Sequence, residues 1–163
     1  MARLRHAGAA LVLAVACKPY TTRPDFPPVT GAAQTEVELP VRAATRVLAD
    51  ALRRDSLPVT RVVPEDGLLE SPWFDARTLR PTGARPLGPA VVRIRAWVDP
   101  TRQGFSRLTV ETAYRPLADP SLSERELDHQ VPLTHPVAVR VAEIVQELAR
   151  RYGGAEAPAK PDS

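Results

Sequence analysis

The stretch that decides the fold is "VVRIRAWVDPTRQGFSRLTVETAYR", residues 91–115, which contains two runs of strict alternation. Val92, Ile94, Ala96 and Val98 alternate with Arg93, Arg95 and Trp97, and Leu108, Val110, Thr112 and Tyr114 then alternate with Arg107, Thr109, Glu111 and Arg115. Because successive side chains of a strand point to opposite faces of a sheet, each run predicts a half-buried strand. Residues 99–105 predict the turn that joins them into an antiparallel hairpin.

A second hairpin is predicted upstream of this stretch. Residues 57–63 and 68–74 are rich in apolar residues, and Pro64-Glu65-Asp66-Gly67 between them is a turn sequence. Its glycine stands where a turn needs a positive φ. A short strand at residues 35–39 is also expected.

Two amphipathic helices flank the predicted strands. The first has apolar residues at three- and four-residue spacing from Val41 to Leu52 and ends before Pro58. The second runs over residues 136–152, with Pro136 suited to the first helical position and Gly153 to the stop. Its apolar stripe consists of Val137, Val141, Ile144, Val145, Leu148 and Tyr152.

These elements predict an α+β fold. An antiparallel sheet of about four to five strands, packed on two helices of which one is C-terminal, forms a two-layer sandwich. The domain is expected to span residues 35–152, with a long loop at 76–90.

Residues 17–34 are predicted to be a proline-rich tether, of which 18–34 could reach about 50 Å if extended like polyproline. Residues 153–163 are predicted to be a disordered tail.

The N-terminus has the pattern of a secretory signal. Arg3, Arg5 and His6 precede about ten apolar residues, and small residues stand directly before Cys17. This apolar run is too short to span a bilayer, which takes roughly 20 residues. Residues 1–16 are therefore predicted to be a cleaved signal peptide.

Leu13-Ala14-Val15-Ala16-Cys17 resembles the lipobox of bacterial lipoproteins, whose pattern usually has leucine where this chain has Ala14. The resemblance implies that the Cys17 thiol carries a diacylglyceryl group, and that Lys18 after it favours the outer membrane. An exported chain with one cysteine cannot form an internal disulfide, which agrees with this role. Ordinary cleavage giving a secreted or periplasmic soluble protein, or a cytoplasmic protein with a coincidentally apolar start, are the alternatives.

The order of predicted elements, with "EDGLLESPWF" as a hairpin ending in tryptophan, resembles the helix-grip domains of outer-membrane lipoproteins such as the C lipoprotein of the barrel-assembly machinery. The resemblance covers about residues 35–152. It implies an accessory or scaffolding role in envelope assembly, and it offers no catalytic residue to carry over.

Composition and motifs give little support to catalysis or to nucleic-acid binding. The net charge is +3, and it falls to +1 once residues 1–16 and their two arginines are removed. His129 and His135 lack a third metal ligand at a suitable spacing, so no metal or cofactor is expected. Glu124, Glu126 and Asp128 are interpreted as a solvated charged turn, and Ser106 has no partner base. A cryptic hydrolase based on the charged loop 119–135 is the weakest hypothesis.

The polar side of the hairpin predicted at residues 91–115 is the candidate binding surface. Its predicted residues are Arg93, Arg95, Trp97, Arg107 and Arg115. Guanidinium groups bind carboxylate or phosphate and stack on aromatic rings, so this face suits an envelope protein or glycan. A plain solvent-exposed face is the alternative. A carrier of a small lipophilic ligand, held between the sheet and the C-terminal helix, is the second functional hypothesis.

Overall fold

The computed structural model of the protein describes Thr21 and residues 23–153. Residues 1–16, predicted to be a signal peptide, Cys17, and residues 154–163 of the predicted tail lie outside the described residues. The elements in chain order are β1 (Ala33–Val37), α1 (Val41–Arg54), β2 (Arg61–Val63), β3 (Leu68–Glu70), β4 (Phe74–Asp75), β5 (Val91–Pro100), β6 (Ser106–Tyr114), α2 (Glu124–Leu127), β7 (His129–Gln130) and α3 (Pro136–Tyr152).

The predicted α+β class, with an antiparallel sheet and a C-terminal helix, is confirmed. The predicted number of strands is wrong, because the described chain forms a sheet of seven strands. The strands β4 and β7 have two residues each and pair with β5 and β6. The helix α2 also adds a third helix, a single turn within the loop predicted to be irregular.

The β5–β6 hairpin is the centre of the sheet. The strand order is β1-β6-β5-β3-β2, and all these pairs are antiparallel. Ala96 of β5 lies opposite Val110 of β6, and Leu69 of β3 lies opposite Ala96 on the other side. The alternation predicted for residues 91–115 therefore runs across the full width of the sheet.

One face of the sheet is apolar and is covered by α1 and α3. Ile94, Ala96 and Val98 of β5 are fully buried in one hydrophobic cluster with both helices. The helices contribute Ala44, Leu48, Leu52, Val137, Val141, Val145 and Leu148 to it. This cluster is the hydrophobic core, and we call this side of the sheet the apolar face.

Helix ends and turns follow the predicted local signals. The ring Nδ1 of His135 accepts a hydrogen bond from the N–H of Val137 at 3.3 Å and caps α3. Gly67 has a φ of +61°, and a Cβ there would collide with the carbonyl oxygen of Val98. The turn between β2 and β3 therefore requires glycine, because the backbone approaches β5 closely.

Several strand boundaries differ from the prediction, and β2 begins only at Arg61 rather than at residue 57. The strand β3 ends at Glu70 rather than at residue 74, because the N–H of Ile94 donates to the hydroxyl of Ser71 at 2.7 Å instead of to a backbone carbonyl of β3. Phe74 rejoins β5 as β4, opposite Val92. The strand β1 begins at Ala33, two residues before the predicted start. Within the described residues, no helix combines the length and apolar character needed to cross a membrane.

Candidate functional site

The residues predicted to form a binding surface do share one face of the sheet, but most of them are internal. Arg95 is 3% exposed and Trp97 is 1% exposed. Arg93 and Arg115 are partly buried, and only Arg107 is an exposed side chain. The prediction of an open binding surface on this side, which we call the charged face, therefore does not fit Arg95 and Trp97, while Arg93 and Arg115 are open to solvent only in part.

A row of alternating charges crosses the charged face. Arg61 on β2 donates to Glu70 on β3 at 2.7 Å, and the Nε of Arg95 donates to the same carboxylate at 3.0 Å. The Nη1 of Arg95 donates to Glu111 on β6 at 2.8 Å. Arg125 of α2 then donates to both Glu111 oxygens, at 2.8 and 3.0 Å. Arg93 also donates to Glu70, at 3.4 Å, so Glu70 is bound by three guanidinium groups and Glu111 by two.

Glu111 is the most buried charge of this row, with no exposed surface. Besides the two arginines, it accepts a hydrogen bond from the backbone N–H of Val29 at 2.9 Å. A buried carboxylate is tolerated when its lone pairs are paired in this way, and is costly when a partner is lost. At Glu70, burial alone raises the carboxyl pKa, but hydrogen bonds from Arg61 and Arg95 outweigh it and hold the pKa below its ordinary value.

Phe26 packs onto the middle of the charged face. Its ring meets Trp97 edge to face at a centroid distance of 6.1 Å. The guanidinium groups of Arg95 and Arg125 lie 4.9 and 4.5 Å from the centroid of the Phe26 ring. These are cation–π distances, so the arginines already stack on aromatic rings of their own chain.

Trp73 forms a second cluster of the same type. Arg93 and Arg115 lie 5.3 and 5.0 Å from its ring centroid. Arg115 also donates to Asp128 at 3.0 Å and lies 3.2 Å from Glu124. Burial alone lowers the pKa of Arg115, but its bond to Asp128 outweighs this and raises it. Burial and the neighbouring charge of Arg95 lower the pKa of Arg93.

Residues 23–32, which we call the strap, cover the charged face together with α2. Arg23 donates to Asp99 at 2.6 Å, Phe26 contacts Trp97, and the carbonyl of Pro27 accepts from Arg125. These residues were predicted to belong to an extended tether. Most of the predicted tether that the structure describes is instead packed on the sheet, because Phe26 and the Val29 amide find partners there.

The other residues considered for chemistry are not brought together as a reactive group. His129 lies against the ring of Tyr114, and His135 caps α3. Asp128 is buried and bound to Arg115, whereas the Ser106 hydroxyl is buried and donates to the carbonyl of Leu39 at 2.7 Å. In the part of the chain that the structure describes, no three His, Cys, Asp or Glu side chains are grouped to hold a metal.

Exposed leucines surround an open pocket at the end of the sheet where β5 begins and β6 ends. Leu87, Leu117 and Leu122 are 39, 50 and 41% exposed. They line a pocket of about 350 Å³, which we call the leucine pocket, with Arg85, Pro86, Arg115, Ala118, Asp119, Pro120, Glu124 and Leu127. Scattered exposed leucines are normal, but three around one pocket form a patch suited to an interaction.

The loop 76–90 forms one wall of this pocket and carries only positive charge. Arg77, Arg80 and Arg85 are exposed, and the loop has no acidic residue. A second open hollow, of about 700 Å³, lies on the other side of the loop next to the start of α3. The loop 76–90 was predicted from the sequence, but Leu117 and Leu122 were not recognised as part of a site. Apolar residues in a proline-bearing loop were the available signal.

No protein-family model matches the chain, and no curated protein matches it.

Proposed function

We propose that this protein is a non-enzymatic, membrane-anchored lipoprotein whose domain binds an acidic, apolar-containing segment of another envelope protein. Its binding site is the leucine pocket together with the loop 76–90. The acyl group on Cys17 anchors the chain in the outer membrane with the domain facing the periplasm. This is also the role implied by the resemblance of the predicted elements to the helix-grip domains of outer-membrane lipoproteins.

The observation that carries the binding proposal is the position of Leu87, Leu117 and Leu122 around one pocket beside an all-positive loop. Covering exposed apolar side chains with a partner lowers the free energy of the complex. The three exposed arginines of the loop favour carboxylates on that partner, since guanidinium binds carboxylate with two parallel hydrogen bonds. Arg93, Arg95 and Arg125 of the charged face are occupied by their own carboxylates and rings, whereas Arg115 lines the leucine pocket and Arg107 is exposed.

The anchor is tested by replacing Cys17 and following the protein in fractionated cells. The Cys17→Ala variant is expected to move from the membrane fraction to the soluble periplasmic fraction, because no thiol remains to be acylated. Intact mass of the unaltered protein should show loss of residues 1–16 and addition of acyl chains. Unchanged membrane association of Cys17→Ala would contradict the anchor.

The binding site is tested by photo-crosslinking inside cells. A photoreactive amino acid at Leu117 should capture one envelope protein that the same group at Gln146, an exposed residue of α3, does not capture. Reversing the loop charges with Arg77→Glu, Arg80→Glu and Arg85→Glu should abolish this capture while thermal unfolding stays unchanged. Equal capture from both positions, or capture that survives charge reversal, would reject the site.

A lipophilic-ligand carrier is the second candidate, because one groove fits it. A cleft of about 320 Å³ lies between the β1 edge and α3, with Ala33, Val110, Val141 and Val145 among its lining residues. This volume is at the lower limit for small-molecule sites. Native mass spectrometry of the purified protein distinguishes the two functions, since a carrier retains a lipid and a docking module does not.

A further inference from the structure

The N-terminal segment reaches the domain at one end of the sheet and not at the other. Arg23 is bound to the carboxylate of Asp99 at 2.6 Å and to the carbonyl of Asp66 at 3.3 Å. Both acceptors lie at the end of the sheet formed by the turns at residues 64–67 and 101–105. We call this the turn end. The start of α1 lies there too, since Arg42 pairs with Glu65 at 3.2 Å.

The leucine pocket lies at the opposite end, which we call the far end. The N–H of Gly88 donates to the carbonyl of Arg115 at 2.8 Å, which closes the far end of the β5–β6 hairpin beside the pocket. The strand β5 has ten residues, so the two ends are separated by about 30 Å.

Only six residue steps separate Cys17 from Arg23. A fully extended chain covers at most about 3.3–3.6 Å per residue, so this connection reaches no more than about 20 Å. The proline-rich segment was predicted to reach about 50 Å, but the strap uses most of it on the charged face. An anchor at Cys17 therefore cannot bring the far end to a lipid surface as easily as the turn end.

We infer that the turn end is a lipid-facing surface and that the leucine pocket is held away from the membrane, pointing into the periplasm. This inference rests on the proposed acylation of Cys17. The surface that meets the lipid consists of the turn 101–105 and the start of α1. It presents Phe105, with the guanidinium of Arg102 3.7 Å from its ring centroid, beside a shallow hollow of about 400 Å³.

Charge attraction is not the main cause of this orientation. Arg23, Arg42 and Arg102 at the turn end are paired with Asp99, Glu65 and Glu36. Arg107, opposite Asp99, is an exposed arginine of this end. Exposed and paired surface charges attract anionic lipid weakly, and salt screens this attraction. The orientation should therefore change little with salt and with the fraction of anionic lipid, because the short connection sets it.

The test uses the full-length acylated protein in phosphatidylethanolamine–phosphatidylglycerol vesicles that carry a nitroxide on the lipid headgroup. Since acylation occupies Cys17, one added cysteine is the only thiol that a fluorophore labels. Gln103→Cys reports on the turn end and Ala118→Cys on the far end, both at exposed positions. Quenching at position 103 should exceed that at 118 by at least about twofold, since ~30 Å separates them along the sheet.

Equal quenching at both positions, or stronger quenching at 118, in a sample whose mass shows the acyl chains would overturn the orientation and leave the anchor intact. A mass without acyl chains would remove the anchor and this inference together. A flexible glycine–serine insertion of about 12 residues after Lys18 should shrink the difference between the two positions. An unchanged difference would overturn the short connection as its cause.

Discussion

The two faces of the sheet are covered to a similar degree by opposite chemistry. The apolar face packs Ile94, Ala96 and Val98 against two long helices. The charged face packs Arg95, Trp97 and Glu111 against the strap and a single helical turn, and these side chains are as inaccessible as the apolar ones. The alternating side chains of β5 and β6 therefore point into two buried layers, one apolar and one charged. Neither face of these two strands is a plain solvent-exposed surface.

The stability of the two faces depends on their contacts in different ways. Apolar packing is non-directional, so a truncated side chain loses area and leaves a cavity. A buried ion pair contributes little net stability when complete, but loss of one partner leaves a charge without compensation. The charged face should therefore tolerate fewer kinds of substitution than the apolar face.

The largest effect is expected at the centre of the charged face. Glu111→Ala removes one carboxylate partner from the buried Arg95 and from Arg125, and the acceptor of the Val29 amide, and should lower the free energy of unfolding by about 3–5 kcal/mol. Urea denaturation followed by tryptophan fluorescence measures this loss. Glu36→Ala, which removes an exposed carboxylate paired with Arg102, is the control and should cost less than about 1 kcal/mol. Equal losses for the two variants would contradict a buried network.

A somewhat smaller loss is expected on the apolar face. Leu48→Ala removes a fully buried side chain from α1 and should lower the free energy of unfolding by about 3 kcal/mol, by lost burial and a residual cavity. The matched control is Leu133→Ala, at an exposed leucine, which should change stability by no more than about 0.5 kcal/mol. If Leu48→Ala costs more than Glu111→Ala, the ranking of the two faces is reversed.

A third prediction concerns the strap, which covers the charged face. Phe26→Ala removes a partly buried ring and two cation–π contacts, and should cost about 1–2 kcal/mol. Hydrogen exchange of the Val29 amide should accelerate, because this amide is bonded to Glu111 only while the strap is in place. Phe105→Ala removes a ring with its own arginine contact at the turn end, and should leave Val29 exchange unchanged. Acceleration by both variants would show general loosening.

The smallest effect is a pH dependence that Glu70 gives to the charged face. The pKa of Glu70 in the folded protein is below its ordinary value of 4.5, so its contribution to stability is present above that pH and is lost as pH falls through the folded pKa. Unfolding measured between pH 7 and pH 3 should show this loss. Glu70→Gln should lack that part of the slope. An identical slope in both proteins would assign the acid sensitivity to other carboxyls.

Local patterns were sufficient for the elements that build the apolar face. The helix periodicity of α1 and α3, the alternation of β5 and β6 and the turn at Gly67 are all readable along the chain. The helix α2 was also readable and was missed, since Ser123 and Glu126 form a capping box whose spacing is visible in the sequence. The two-residue strands β4 and β7 have no pattern long enough to identify.

The charged face could not be predicted because its contacts join distant segments. Alternation places Arg95 and Trp97 on one side of a strand, but nothing local shows that Phe26 covers them. The pairing of Arg95 with Glu70 and Glu111 depends on the register of three strands, which becomes known only when they are assembled. The leucine pocket is likewise formed by two loops that are separate in sequence.

The direction of the strap determines how a pulling force at the N-terminus would enter the domain. From Arg23 to Val29 the chain runs along the charged face away from the turn end, and after Gly31 β1 returns beside β6 toward that end. Tension would break the Arg23–Asp99 pair first, then the Phe26 contacts, then the Val29 bond, one after another. Under tension, the strap should therefore detach in steps before the force reaches the hydrophobic core.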